Sequence, residues 1–242
     1  MRLGSWSPPF QRSATRSHRH GARIICRQRQ ASMFMRQSVF TSSTSAMQAL
    51  VWVPSSGPTP TRTLLYLHGA GGFGSGLAGL FEHPDLPSLL RDGLEIDARV
   101  VVPSCHLGTQ WELAVLCRFL EDLEAAHGRP SQGYDVVGYS RGGRGALAFA
   151  AAHPERVRSV ASIAGPEVTE LVARLTHRPL LFCHGLADPK TPAAQVRRMH
   201  EAVLAQGGDS HLMLVEGDHF IVADLFRAGR IFQWHRSLEE AR

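Results

Sequence analysis

The segment that most limits how this chain folds is Gly138-Tyr139-Ser140-Arg141-Gly142, because of what flanks it. Before it, Tyr134-Asp135-Val136-Val137 is short and largely apolar and reads as a buried strand. After it, residues 143–153 are rich in alanine and read as a helix that stops before Pro154. The chain must therefore turn from strand to helix within a residue or two. Glycines at 138 and 142 leave room where side chains would collide, and the turn holds Ser140 in a strained conformation. Such a turn lifts the Ser140 hydroxyl to the carboxyl edge of a sheet, above the positive end of a helix. Gly-x-Ser-x-Gly alone is a weak pattern in a chain with 23 glycines. The strand and helix around it give it meaning.

From residue 48 onward, strand and helix patterns alternate. This implies an α/β fold: a mostly parallel, doubly wound sheet with helices on both faces. Residues 49–53 read as an edge strand, and 63–68, 99–103, 159–164, 179–183 and 211–215 as further strands. Helical periodicity runs over 111–126, with Leu113, Leu116, Leu120 and Leu123 on one face. Further helices are expected at 167–175, 191–206 and 220–236. The short stretch 165–178 leaves no room for a cap domain.

In sheets of this kind, ligands bind at the carboxyl ends of the strands. Three of those ends carry chemistry beside Ser140. After strand 63–68 comes His68-Gly69-Ala70-Gly71-Gly72, a loop whose backbone amides can turn inward unobstructed. With the Arg141 amide, the Ala70 amide would form an oxyanion hole, and Gly71 is the substitute for Ala70. No Gly-Lys-Ser/Thr follows, so a phosphate loop does not fit. After strand 179–183 comes His184-Gly185-Leu186-Ala187-Asp188-Pro189, which offers Asp188 as an acid. After strand 211–215 comes Gly217-Asp218-His219-Phe220, which offers His219 as a base. The order Ser140, Asp188, His219, each at a strand end, is one of the known orders of a catalytic triad. Asp218 is the second choice of acid.

These four motifs resemble those of small serine esterases of the α/β-hydrolase superfamily. The likeness is to carboxylesterase/phospholipase-like, feruloyl-esterase-like and predicted-peptidase-like members, over residues 49–235. The Gly-Tyr-Ser-Arg-Gly turn is their nucleophile elbow. The resemblance implies Ser140 as nucleophile, His219 as base, Asp188 as orienting acid, and the Arg141 and Ala70 amides as oxyanion donors. It implies hydrolysis of a small carboxylic ester through an acyl-enzyme, with no metal and no cofactor. An amidase, peptidase or thioesterase would use the same residues. A non-catalytic binding protein on this fold is the rival of another class. Trp111, at the start of a helix, is a candidate wall of the substrate pocket or else a core anchor. Arg141, a cation in the first turn of a helix, either meets a substrate carboxylate or lies along the surface.

Charge excludes one class of partner. The chain of 242 residues has a formal charge of +5, but residues 1–46 hold eight of its arginines and no acid. Without them, 18 basic residues face 21 acidic ones, so no basic groove for nucleic acid is expected. Residues 1–46 read as a disordered leader or upstream extension, with a start at Met33, Met35 or Met47. Their Arg- and Ser-rich composition also fits an organellar transit peptide. The hydrolase domain is then residues 47–242, expected in the cytoplasm, or in an organelle if the leader is a transit peptide. Four cysteines match no disulfide or zinc spacing, and no apolar run is long enough to span a membrane.

Overall fold

The computed structural model describes residues 35–58, 60–105 and 110–240. Its centre is an eight-stranded sheet of β1 (Met35–Thr41), β2 (Gln48–Pro54), β3 (Thr63–Leu67), β4 (Arg99–Ser104), β5 (Tyr134–Tyr139), β6 (Val157–Ile163), β7 (Leu180–Gly185) and β8 (Ser210–Val215). The spatial order is β1-β2-β4-β3-β5-β6-β7-β8. β2 is antiparallel to both β1 and β4, and the six strands from β4 to β8 are parallel.

Interior parallel strands are buried on both faces, so successive side chains feed two cores. On β3, Leu65 and Leu67 join one core and Leu64 and Tyr66 the other. The first core lies under α3 (Leu113–His127), α4 (Arg141–Ala152) and α5 (Ala193–Ala205), which bury Phe119, Leu120, Phe149 and Met199. The second lies under α2 (Leu86–Arg91), α6 (Val222–Arg227) and α7 (Arg230–Glu240), which bury Leu86, Leu89, Phe226 and Trp234. Each such side chain contributes about 1.5–3 kcal/mol by leaving water. At the strand-entry edge, Asp135 pairs with Arg158 (2.8 Å) and Arg62 (2.9 Å) and accepts from Ser159 Oγ at 2.6 Å. Burial pushes the Asp135 carboxyl up, but His235, Ser159 and the two arginines outweigh it and hold the pKa low.

The structure departs from the sequence reading in several places. β1 falls inside the stretch assigned to a leader, so the folded domain starts earlier than residue 47. Most of β1 faces solvent; Phe40 packs against Phe119 and Met35 against the second core, so the strand shows no apolar alternation. Its backbone pairing with β2, from Phe40 with Ala49 outward, is what places it. It also makes β2 an inner strand rather than the edge. The leader or transit segment, over residues 1–34, lies outside the described residues. The closing helix is two helices, α6 and α7, broken at Gly229 with φ +66°. The four-residue α1 (Gly76–Gly79) and α2 lie between the strands expected at 63–68 and 99–103. No cap domain interrupts the β6–β7 connection, which holds a 3-10 turn at Thr169–Arg174. Among the described residues, no helix is long and apolar enough to cross a membrane.

Candidate active site

Ser140 stands at the junction of β5 and α4 with φ +54° and ψ −116°, a conformation a side-chain-bearing residue rarely adopts. The glycines on either side permit it. A Cβ at Gly138 would stand 2.0 Å from the Gly142 carbonyl oxygen. A Cβ at Gly142 would stand 1.8 Å from the Leu67 carbonyl oxygen on β3. The Ser140 N–H donates to the Ile163 carbonyl at 2.8 Å, and its carbonyl accepts from the Gly143 N–H at 2.9 Å.

The loops after β7 and β8 bring Asp188 and His219 to the same place. His219 Nε2 lies 2.9 Å from Ser140 Oγ, and His219 Nδ1 lies 2.7 Å from Asp188 Oδ2. Asp188 is fully enclosed by donors. Its Oδ1 accepts from the Lys190 and Thr191 backbone N–H groups at 2.8 and 3.0 Å, and its Oδ2 from Thr191 Oγ1 at 2.8 Å. Burial raises the Asp188 pKa, but bonds from Thr191, His219 and Lys190 outweigh it and hold the carboxyl below its ordinary value. An ionised Asp188 accepts the Nδ1 proton of His219, which leaves the Nε2 lone pair facing Ser140 Oγ. Asp218 points elsewhere: its carboxylate accepts the Phe220 N–H at 2.8 Å.

The glycine loop folds over His68, a buried ring whose pKa burial lowers to about 4. Neutral His68 donates from Nδ1 to the Gly69 carbonyl (2.9 Å) and accepts the Cys105 N–H at Nε2 (3.1 Å). A Cβ at Gly72 would strike its ring, so the loop closes tightly around it. Ala70 opens the 3-10 turn Ala70–Gly72, and Arg141 is the first residue of α4. Ala70, Gly71, Ser140 and His219 line one cavity of about 240 Å³.

Two of the singled-out residues, Trp111 and Arg141, line a different groove. Trp111 is 7% exposed; it packs against the His68 and Phe73 rings and Gly145 and donates to the His68 carbonyl at 3.2 Å. It lines a separate groove with Arg141 and Arg144 rather than the cavity at Ser140, so it is an anchor beneath the glycine loop. A bulky amphipathic ring that must satisfy its N–H finds both needs met there.

Other residues of the site gave no local signal. Tyr139 donates to the His219 carbonyl at 3.2 Å, tying the elbow to the histidine loop, and burial, aided by Asp85, raises its hydroxyl to about 12. His83, Pro84 and Asp85 wall the cavity. Asp85 is 5% exposed, takes the Tyr66 hydroxyl at 3.4 Å, and is pushed by burial up to about 7. Phe220, 58% exposed, and Lys190 form a further wall.

With this geometry in view, the chain can be set beside known proteins. The family model of the alpha/beta hydrolase fold matches residues 62–177. No curated protein matches the sequence. A thermostable esterase superposes with TM-score 0.64 at 18% identity, covering 83% of this chain; this chain spans 62% of that esterase. A predicted CIB-like hydrolase from Thermoplasma acidophilum gives TM-score 0.59 at 17% identity, over 82% of this chain and 98% of the other. An esterase of Pyrococcus furiosus gives TM-score 0.59 at 15% identity, over 86% and 91%. The sheet order, the sharp turn at Ser140 and the family match give this chain the α/β-hydrolase fold.

Proposed function

We propose that this chain is a serine hydrolase of carboxylic esters. The observation that carries the reading is the unbroken run of contacts from Ser140 Oγ through His219 to Asp188, at 2.9 and 2.7 Å. His219 Nε2 takes the Ser140 proton as Oγ bonds to the ester carbonyl carbon. The Asp188 carboxylate holds the imidazole in the right tautomer and stabilises the imidazolium. The amides of Ala70 and Arg141, or Gly71 in place of Ala70, stabilise the carbonyl oxygen as it gains charge. The C–O bond then breaks, and the proton on Nε2 passes to the leaving alcohol. Water, deprotonated by His219, attacks the acyl-enzyme and releases the acid and Ser140. Esters are preferred over amides because they need least activation of the leaving group. The uncapped β6–β7 connection supports an open site that small or bulky ester molecules can enter.

The test is labelling of the full chain by a fluorophosphonate, with Ser140→Ala and His219→Ala alongside. Labelling of the wild type, lost in both variants, is the expected result. A well-folded wild-type chain that takes no label refutes the activated serine and leaves a binding protein on a hydrolase fold.

A further inference from the structure

Among the described residues, Lys190 is the one permanently charged cation lining the cavity at Ser140. Lys190 is the only lysine of the chain, where every other fixed cation is arginine. It lines the cavity two residues past Asp188, and its backbone N–H bond to Asp188 Oδ1 fixes where its side chain leaves the loop. The ammonium rests over the Phe220 ring, 4.7 Å from the centroid. Among the described residues it has no ion-pair partner, and the nearby Asp188 oxygens are taken by His219 and Thr191. An ammonium has three N–H donors, and one aromatic face does not use them all. Asp85, the carboxyl that lines the cavity, is pushed by burial up to about 7, so near neutral pH it offers only part of a counter-charge. Arg141, beside Ser140 in sequence, lines the neighbouring groove and leaves this cavity to Lys190.

Position then selects one arm of the substrate. In the proposed reaction His219 returns its proton to the leaving alcohol, so the alcohol arm must run past His219 and its neighbours. Phe220 packs edge-on against the His219 ring, and Lys190 rests over Phe220 in the same cavity. We propose that the esters cleaved here carry an ionised carboxylate on the alcohol arm, the ester of a hydroxy acid, and that the Lys190 ammonium receives it. This rests on the serine-esterase reading.

The experiment compares hydrolysis of 4-acetoxybutanoate with that of butyl acetate, which differ at the carboxylate end alone, followed by proton release. It uses wild type, Lys190→Gln and Lys190→Arg. Gln keeps the backbone bond to Asp188 and loses the charge. The expected result is a ratio of kcat/KM values, anionic over neutral ester, that falls about tenfold in Lys190→Gln and returns in Lys190→Arg. The wild-type ratio should also shrink with added salt. An equal ratio in wild type and Lys190→Gln, with butyl acetate still cleaved, overturns this inference and spares the esterase reading. A wild type that cleaves neither ester and takes no fluorophosphonate overturns both.

Discussion

Ser140 is a place where stability is given up for geometry, and a comparison of two variants without the hydroxyl measures how much. Both Ser140→Ala and Ser140→Gly lose the hydroxyl and its contact with His219, so they differ only in the backbone. At φ +54° and ψ −116° a Cβ is strained, and glycine is not. Strain of this kind costs about 1–3 kcal/mol. Glycine returns about 0.4–1 kcal/mol of that through its freer unfolded chain. The net expectation is that Ser140→Gly is more stable than Ser140→Ala by about 1 kcal/mol, which in a domain of this size raises Tm by about 2–4 °C. Urea unfolding and a thermal scan at one pH read it directly. Inside a helix the sign reverses, because glycine is the poorer residue there. Ser140→Gly melting at or below Ser140→Ala would show that the elbow stores no strain.

Three further outcomes follow from the same contacts. Asp188→Asn should fold and lose about 10³–10⁴-fold in kcat on an activated ester, because an amide in that place no longer fixes the His219 tautomer. Steady-state rates beside a circular dichroism spectrum check it. Tyr139→Phe removes the donor that holds the His219 carbonyl; kcat should fall about five- to tenfold with KM little changed, and an altered KM at constant kcat would contradict the positioning role. Asp85 gives a pH effect. Its carboxyl is raised to about 7 when folded against an ordinary 3.8, so the native state holds the proton more tightly. The stability this gives is whole below about pH 4 and is lost as pH rises through 7. Asp85→Asn lacks that loss, so from pH 4 to 8 its stability relative to wild type should improve by up to about 4 kcal/mol in urea unfolding. Parallel pH profiles for the two proteins would refute it.

Much of this molecule is legible along the chain, and the exceptions have physical causes. Interior strands such as β3 and β5 announce themselves because both faces are buried and the run is largely apolar. The elbow is legible because a collision with Leu67 and Gly142 oxygens leaves only glycine at 138 and 142. The positions of Ser140, Asp188 and His219 could be read from their order at strand ends. β1 could not, because an edge strand is secured by backbone hydrogen bonds that any sequence can make. Asp122 shows the same gap: it pins residues 42–44 through Ser42 and Thr44 and is thereby lowered to about 2, yet at 80 residues' separation nothing in the sequence joins them. Trp111 could not be assigned from the sequence, for the converse reason. A tryptophan near a strand end suits a pocket wall or a core anchor equally, and only the packing of His68 and Gly145 decides between them.

The strain at Ser140 is one half of a pair, and the pairing explains how the site stays assembled. Ala164, one residue past β6, also has a left-handed backbone, with φ +48°. The two positions sit side by side at the ends of adjacent parallel strands. Ser140 N–H is held by the Ile163 carbonyl at 2.8 Å, and Ala164 N–H by the Cys183 carbonyl on β7 at 2.8 Å. Each strained residue is thus fastened to the next strand outward, and the sequence of fastenings ends in the loop after β7. There the Thr191 hydroxyl, 3.4 Å from the Ala164 carbonyl and 2.8 Å from Asp188, touches both the strained edge and the acid. The backbone that sets the Ser140 angle and the backbone that sets Asp188 are therefore parts of one hydrogen-bonded edge. Loosening Thr191 should disturb both, whereas substitutions at the opposite edge, around Asp135 and Arg158, should cost stability and leave the Ser140–His219 geometry alone.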